Sequence, residues 1–217
     1  PIVARVDLSS ETADGTFTLQ ILHASDLEGG VDAIGRAANF AAIVDKLEDE
    51  YEHSITLSAG DNMIPGPFFS ASADPSIQAI LNEVYNDLYG TDVFTDLAPA
   101  GGRIDISIMN VIGFDASALG NHEYDAGTSA LADVIRGQAS GELIQWIGAQ
   151  FPYLSANFDF SGDGALGSLF TDEILSADSF KADPADPASV ARPKIAPATI
   201  LEEGGELIGV VGATTQL

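Results

Sequence analysis

A cluster of polar side chains lies directly behind an apolar run in the stretch ALGNHEYDAG, residues 118–127. The cluster contains an amide, an imidazole and two carboxylates, namely Asn121, His122, Glu123 and Asp125. A fold gains no stability from crowding such groups, because buried polar groups cost free energy unless they are paired. An amide oxygen can ligate a metal, an imidazole can act as a general acid, and a carboxylate can fix the tautomer of that imidazole. We therefore interpret Asn121 as a metal ligand, His122 as the acid and Asp125 as its partner.

Two other segments repeat the order of an apolar strand, a small residue and then carboxylates. LQILHASDLEGG at residues 19–30 presents Asp26 and Glu28, and ITLSAGDN at 55–62 presents Asp61. Ligands of open α/β sheets bind outside the carboxyl ends of the strands, so these groups are expected to meet in one crevice. Carboxylates brought together repel one another unless a cation neutralises them, and oxygen ligands suit hard or borderline divalent metals. Asp61 is placed to bridge two such ions about 3.5–4 Å apart.

Predicted strands and helices alternate along the chain. Strand-like runs cover residues 17–23, 54–60, 116–119 and 153–158. Helical periodicity covers residues 35–50, 75–89 and 106–113, and residues 128–150 are interpreted as two helical pieces. Residues 198–215 are predicted to form a closing hairpin. This alternation predicts βαβ units, and hence an α/β fold with its helices outside the sheet.

The composition limits the classes of function. The 217 residues include 33 acidic and 8 basic side chains, for a net charge of −25, and 46% of them are hydrophobic. This balance argues against nucleic-acid or anionic-membrane binding, because no basic stripe exists to neutralise phosphates. No stretch approaches the roughly 18 apolar residues of a membrane span, and the first residues lack the layout of a signal peptide. The absence of cysteine excludes thiolate zinc sites and cysteine nucleophiles.

Residues 159–193 interrupt the alternation of strands and helices. They are rich in Asp, Ser, Gly and Pro, which is typical of an acidic, flexible insert. The simplest interpretation is a solvated surface segment, and calcium binding is the alternative.

Five segments together resemble the metallophosphoesterase superfamily, in its branch of 5′-nucleotidases and atypical bacterial alkaline phosphatases. They are ILHASDLEGG, LSAGDN, MNVIGFDASALGNHEYDAG, YLSANF and GELIGVVGATT, and they occur in the order found in the family. The resemblance implies a calcineurin-like fold, a four-layer α/β/β/α sandwich of which this chain forms part. It also implies a metallophosphatase that hydrolyses phosphate monoesters with two divalent metal ions.

The resemblance also assigns roles to individual residues. Asp26, Asp61 and Asn121 match metal ligands of the family, with Asp61 in the bridging position. His122 matches the histidine that protonates or stabilises the transition state, and Asp125 matches its partner. In the family, a metal-bound hydroxide attacks phosphorus in line while the metals and the histidine stabilise the developing charge.

This chain departs from the family pattern in two ways. The first motif of the family reads Asp-x-His, whereas this chain has Asp-Leu-Glu at 26–28. Glu28 can still ligate the first metal, and its anionic oxygen favours Mn, Mg, Ca or Fe over Zn. The family completes its metal sites with histidines from later motifs, yet this chain has three histidines in all. We therefore expect residues 1–217 to be the N-terminal part of a longer catalytic domain, lacking the C-terminal domain that binds the substrate.

Several functions remain open at this point. The expected substrate is a small phosphate ester or nucleotide, and the expected location is extracytoplasmic, either periplasmic or secreted. A cyclic-nucleotide phosphodiesterase or a nucleotide-sugar hydrolase would use the same chemistry. A half-site that needs its C-terminal part and a non-catalytic, cation-binding domain of a secreted protein are alternatives. The pairing of His122 with Asp125 argues against the last, because a structural cation site needs no imidazole acid. Glu123 is expected to hold its loop through backbone hydrogen bonds.

Overall fold

A mostly parallel six-stranded sheet forms the centre of the fold. A computed structural model describes residues 2–8, 17–27 and 31–215. The strands of this part are β1 (Ile2–Leu8), β2 (Phe17–Ala24), β3 (Ser54–Ser58), β4 (Ala116–Ala118), β5 (Gln138–Ser140), β6 (Leu143–Trp146), β7 (Tyr153–Leu154), β8 (Leu175–Ser176), β9 (Ile195–Ala196), β10 (Ala198–Glu203) and β11 (Glu206–Val211). The sheet has the order β1-β2-β3-β4-β7-β9, in which β1 is antiparallel to β2 and the other pairs are parallel. The α/β fold with a parallel sheet is therefore confirmed.

Helices connect these strands and supply the main apolar core. They are α1 (Val31–Glu48), α2 (Pro67–Ala71), α3 (Ile77–Tyr89), α4 (Arg103–Ile112) and α5 (Thr128–Ile135). Helix α4 buries Ile106 and Met109, which are three residues apart and so lie on the same face. It ends at Gly113, whose φ of 88° is the left-handed conformation that favours glycine at a helix end. The helix thus delivers the chain into β4, just ahead of the stretch that contains His122.

A second sheet packs against the first. It has the order β11-β10-β8, and β10 and β11 form the hairpin predicted for residues 198–215. Phe17, Leu19 and Ile55 of the first sheet form one apolar cluster with Leu201 of β10. Helices, the first sheet and the second sheet therefore follow one another as layers, in agreement with the calcineurin-like fold class.

The outer face of β11 is open to solvent. Leu207 and Val211 are 71% and 70% exposed, because they alternate with Ile208 and Val210, which point to the apolar cluster between the sheets. Within the described part of the chain, β11 pairs with β10 alone and so forms an edge of the second sheet.

The structure corrects the prediction of two helical pieces for 128–150. Helix α5 accounts for the first piece, but the second is the hairpin of β5 and β6. The hairpin turns at Gly141, whose φ is 61°, and Ile144 and Trp146 are buried at the two-residue spacing of a strand. The strand predicted at 153–158 is shorter than expected, because only Tyr153–Leu154 pairs in the sheet.

The acidic segment at 159–193 has little regular structure but contributes to the core. Phe160, Leu166 and Phe180 are buried, although Asp and Ser surround them in the sequence. Lys194 follows the segment and is fully buried, and its Nζ donates hydrogen bonds to the carbonyl oxygens of Ala149 and Phe180 at 2.7 and 2.8 Å. This lysine ties the segment to the loop that precedes β7.

We predict that Lys194→Met changes how stability depends on pH. Burial lowers the pKa of Lys194 from its ordinary value of 10.5 to about 7, so folding releases a proton between these two pH values. The free energy of unfolding contributed by this group should therefore rise with pH across that window, by about 1 kcal/mol per pH unit. Urea unfolding at pH 7.5 and 9.5 should show a slope for the natural protein that Lys194→Met lacks. Lys46→Met, on the exposed side of α1, is the matched control, and an unchanged slope in Lys194→Met would contradict the prediction.

Candidate metal and phosphate site

The loops that follow β2, β3 and β4 meet at one edge of the sheet. The strands are adjacent and parallel, so their carboxyl ends bring together Asp26, Asp61 and the stretch that contains Asn121 and His122. The backbone N–H of Asp26 donates to the carbonyl oxygen of Gly60 at 3.2 Å. The backbone N–H of His122 donates to Oδ1 of Asp61 at 2.8 Å. The loops that carry these residues therefore lie side by side, as expected from the sequence.

Glu123 joins the second and third of these loops. It is 2% exposed, and its carboxylate accepts hydrogen bonds from the backbone N–H groups of Asp61 at 2.9 Å, Asn62 at 2.8 Å and Gly120 at 2.8 Å. Burial raises the pKa of Glu123, and the three N–H donors oppose that shift by favouring the charged form. The interpretation of Glu123 as a residue that holds its loop is confirmed.

Two glycines allow these loops to approach closely. A Cβ atom on Gly60 would lie 2.3 Å from the backbone nitrogen of Gly120, and one on Gly120 would lie 2.3 Å from Oδ1 of Asp61. The φ of Gly60 is 103°, which side chains also disfavour. No larger residue fits at either position without separating the loops, so the spacing of the candidate ligands depends on both glycines.

Asp26 and Asp61 have an unusual backbone conformation. Their φ angles are 54° and 55°, and they are the only non-glycine residues with positive φ in the described part of the chain. The left-handed region costs free energy for residues other than glycine and is least costly for Asn and Asp. Strain of this kind concentrates at functional sites, where the surrounding structure maintains it. Both candidate carboxylate ligands are thus held in conformations that turn them out of the strand direction.

His122 and Asp125 form a close pair. Nδ1 of His122 lies 2.7 Å from Oδ2 of Asp125, and both side chains are partly exposed. One short 3-10 turn, His122–Tyr124, sets their spacing, because the backbone N–H of Asp125 donates to the carbonyl oxygen of His122. A carboxylate at Nδ1 favours the tautomer with its proton on that nitrogen, which leaves Nε2 to act as the acid–base atom.

The donor set of the described residues fits part of a cation site. Asp26, Asp61 and Asn121 offer two carboxylates and an amide at neighbouring strand ends, the oxygen donors that hard divalent cations take. In the described ranges, however, no three His, Asp or Glu side chains come together as a metal-binding group. Glu28, the fourth predicted ligand, lies outside the described residues. The roles of all these residues in metal binding stay predictions.

A buried polar network supports the loop of Asp61. Asn62 is 1% exposed, its amide nitrogen donates to Oγ of Ser117 at 2.8 Å, and its Oδ1 accepts from Oγ of Ser58 at 2.6 Å. The sequence indicated only that Asn62 lies near the site. Asn62 lies in the loop after β3, and the two serines alternate with apolar residues along β3 and β4, a pattern that by itself is equally typical of ordinary strands.

Outside this edge of the sheet, His53 has a structural position. Its ring stacks on Phe17 with a centroid distance of 4.8 Å, and its Nδ1 lies 3.7 Å from the carboxylate of Glu203. In the described part of the chain, no helix is long and apolar enough to cross a membrane.

Comparisons of sequence find phosphoesterases among the proteins that are similar to this chain. It is 28% identical over 207 residues to a trifunctional nucleotide phosphoesterase of Bacillus subtilis, covering 94% of this chain and 11% of that protein. It is 27% identical over 217 residues to a snake venom 5′-nucleotidase of Gloydius brevicauda, covering 94% of this chain and 26% of that protein. The chain therefore spans about a tenth to a quarter of the length of these relatives. No family model matches it.

Comparison of structures supports the fold class. A 5′-nucleotidase precursor from Thermus thermophilus aligns with a TM-score of 0.53 at 23% identity, over 92% of this chain and 29% of that chain. At this level of identity the likeness concerns the fold, and it agrees with the calcineurin-like class predicted from the motifs.

We predict that Glu123→Gln destabilises the fold. The amide would turn an NH₂ group toward backbone N–H donors that now share one carboxylate, leaving at least one of them buried without an acceptor. The expected loss is about 3 kcal/mol in the free energy of unfolding, measured by urea denaturation. Glu83→Gln makes the same change on the exposed side of α3 and should have almost no effect. Equal stability of the two variants would contradict the role of Glu123 in holding the two loops together.

We predict that Asp61→Asn weakens cation binding while leaving the fold intact. Asparagine tolerates a positive φ, and its oxygen can still accept from the N–H of His122, so the substitution removes the charge alone. In the intact protein, Asp61→Asn should lower the affinity for Mn²⁺ at least about tenfold. Equilibrium dialysis and metal analysis measure this affinity. Asp87→Asn, on the exposed face of α3, is the control. Undiminished Mn²⁺ binding by Asp61→Asn would remove Asp61 from the ligand set.

Proposed function

Because this chain is homologous to the 5′-nucleotidases and nucleotide phosphoesterases over nearly its whole length, we propose that it contributes to a metal-dependent phosphatase. The reaction would be hydrolysis of phosphate monoesters, of the alkaline phosphatase or 5′-nucleotidase type. The observation that supports this proposal best is the convergence of Asp26, Asp61 and Asn121 with the His122–Asp125 pair at one edge of the sheet. A structural cation site would need the oxygens but not the paired imidazole.

Asp26, Asp61 and Asn121 are the described residues that would hold divalent cations, with Glu28 beside them in the sequence. Such cations, when bound, neutralise the charge of the phosphate and acidify a water molecule. The protein itself contributes the positions of these ligands, since Glu123 and the two glycines fix the distance between the second and third loops. The remaining ligands would come from another part of a longer protein, as the greater length of the relatives suggests.

His122 would interact with the leaving group and with the phosphoryl oxygens. Asp125 holds Nδ1 of the ring, so Nε2 is the atom that would donate a proton to the departing oxygen or a hydrogen bond to a phosphoryl oxygen. Asp125 would also keep the ring in one orientation through this contact. Proton donation by Nε2 would need both His122 and Asp125, whereas cation binding would need neither residue.

The proposed location is extracytoplasmic, by analogy with relatives whose names place them in snake venom. The net charge of −25 is compatible with that location, since surface carboxylates keep a chain soluble at high ionic strength. A nucleotide is the first substrate to test, given the names of the relatives.

We predict that His122→Ala lowers turnover without removing metal. In the intact natural protein, kcat for a chromogenic phosphate ester should fall by about 10² or more, and bound Mn²⁺ should stay at the level of the unmodified protein. His53→Ala, at the opposite end of the sheet, should leave kcat unchanged. Chelation should abolish hydrolysis in all forms of the protein, and added Mn²⁺ should restore it in the natural protein and in His53→Ala.

Two results would overturn the proposed function. Unchanged turnover in His122→Ala would exclude the assigned acid, and hydrolysis that survives chelation would exclude a metal-dependent reaction.

A further inference from the structure

The carboxamide of Asn62 bridges the ends of two neighbouring strands. Its Nδ2 donates to Oγ of Ser117 at 2.8 Å, and its Oδ1 accepts from Oγ of Ser58 at 2.6 Å. Ser58 and Ser117 lie directly opposite each other in the pairing of β3 with β4, at the last residue of β3. A single buried side chain from the loop after β3 therefore connects that loop to both strands.

The directions of these hydrogen bonds explain why an amide stands at position 62. The hydroxyl of Ser58 donates to Asn62, whereas the hydroxyl of Ser117 donates to the carbonyl oxygen of Ala118 at 2.8 Å. Position 62 must therefore accept from one serine and donate to the other. Asparagine does both, an aspartate of the same size lacks the donor, and leucine lacks both groups. Because the network is buried and satisfied at both ends, it makes the loop rigid.

Asp61 lies between two attachments to the same serine. The backbone N–H of Gly60 donates to Oγ of Ser58 at 3.2 Å, and that hydroxyl in turn donates to the side chain of Asn62. The chain therefore enters and leaves Asp61 at fixed points, and the φ of 55° at Asp61 is the conformation that joins them. A left-handed backbone costs free energy for aspartate, so it persists where the surrounding structure imposes it.

The contacts of Glu123 have a different effect on this loop. Glu123 accepts from the backbone N–H groups of Asp61 and Asn62, and so it fixes the distance between the loops after β3 and β4. The side chain of Asn62 instead ties the loop to the strands themselves, whose carboxyl ends form the edge of the sheet. The direction of Asp61 relative to the sheet, and hence relative to Asp26 after β2, depends on this second attachment.

We propose that Asn62 is a positioning residue for the candidate metal site, whose carboxamide holds Asp61 in the left-handed conformation from which it would ligate cations. This inference rests on the proposed function, because it takes Asp61 to be a metal ligand. Asn62 contacts the strands and acts on the cations through Asp61 alone. Removing a polar group that orients a metal ligand typically costs about 10–100-fold in metal affinity.

A second buried asparagine provides a matched control. Asn110 of α4 donates to Oη of Tyr85 at 2.9 Å and to the carbonyl oxygen of Gly148 at 3.0 Å. Its Oδ1 accepts from the backbone N–H of Gln150 at 2.9 Å. Asn62→Leu and Asn110→Leu therefore remove the same kind of hydrogen-bonded, buried carboxamide at nearly constant size. Both variants should melt at a lower temperature than the natural protein, because each leaves buried polar groups without partners.

The affinity for Mn²⁺ distinguishes positioning from packing. It is measured by equilibrium dialysis of the intact protein, at a temperature below the melting temperature of each variant. Asn62→Leu should bind Mn²⁺ at least about tenfold more weakly than the natural protein, whereas Asn110→Leu should stay within about twofold. An equal loss in the two variants, or no loss in either, would overturn the proposal.

Ser117→Ala removes only the acceptor of the Asn62 amide and is the milder test. It should weaken Mn²⁺ binding in the same direction, by at least about threefold. If Asn62→Leu does not fold, this variant decides the question, and unchanged affinity in Ser117→Ala would overturn the proposal.

Amide hydrogen exchange tests the same hold in the metal-free intact protein. The amide hydrogens of Asp61 and His122 should exchange at least about tenfold faster in Asn62→Leu than in the natural protein, relative to the amide hydrogens of β3. This ratio should be unchanged in Asn110→Leu. Equally slow exchange at Asp61 in Asn62→Leu would show that Glu123 suffices to hold the conformation, and would overturn the proposal.

Hydrolysis of a chromogenic phosphate ester separates this proposal from the proposed function. Hydrolysis by the natural protein, with undiminished Mn²⁺ affinity in Asn62→Leu, would overturn the positioning role and leave the phosphatase. Absence of hydrolysis, with Mn²⁺ binding that falls in Asn62→Leu but not in Asn110→Leu, would overturn the phosphatase and leave the positioning role. Absence of Mn²⁺ binding by the natural protein would overturn both.

Discussion

The carboxylate of Glu123 holds together the two loops that carry Asp61 and His122. Three backbone N–H groups from segments about 60 residues apart converge on this one side chain. Hydrogen bonds to a charged acceptor contribute about 1.5–3 kcal/mol each, which opposes the cost of burying the carboxylate. The hydrogen bond from the backbone N–H of His122 to Oδ1 of Asp61 joins the same two loops. The proposed phosphate chemistry would thus depend on a residue that is not among the candidate metal ligands.

The sequence predicted the fold class and the strand ends that carry the candidate residues more accurately than it predicted some of the surrounding elements. Asp26, Asp61, Asn121, His122 and Asp125 each follow an apolar strand, and parallel strands put such positions at one edge whatever the connections are. The prediction of helix for the hairpin of β5 and β6 is wrong because Leu143, Ile144 and Ile147 also match the spacing of three to four residues that is typical of a helix. Strand β1 is not predicted from the sequence. Its pairing with β2 depends on tertiary contacts, which the local sequence pattern does not encode.

Asp105 shows why a buried polar residue can escape prediction from a sequence. It stands in the first turn of α4, where an acidic residue is ordinary because it interacts favourably with the positive end of the helix. Only the burial of that turn, by α1 and by the loops after β2 and β3, converts a commonplace acid into one without a partner. The information lies in how distant segments pack, so no reading of the residues around 105 would have found it.

The exposed apolar side chains of β11 have a consequence for handling this chain in the laboratory. Leu207 and Val211 stand on an edge strand whose outer N–H and C=O groups pair with nothing in the described part of the chain. Such an edge is a template on which another copy can add a strand, and its apolar residues make that addition favourable in water. At millimolar concentration these 217 residues should therefore form β-rich oligomers, and a charged residue at 207 or 211 should keep them dispersed.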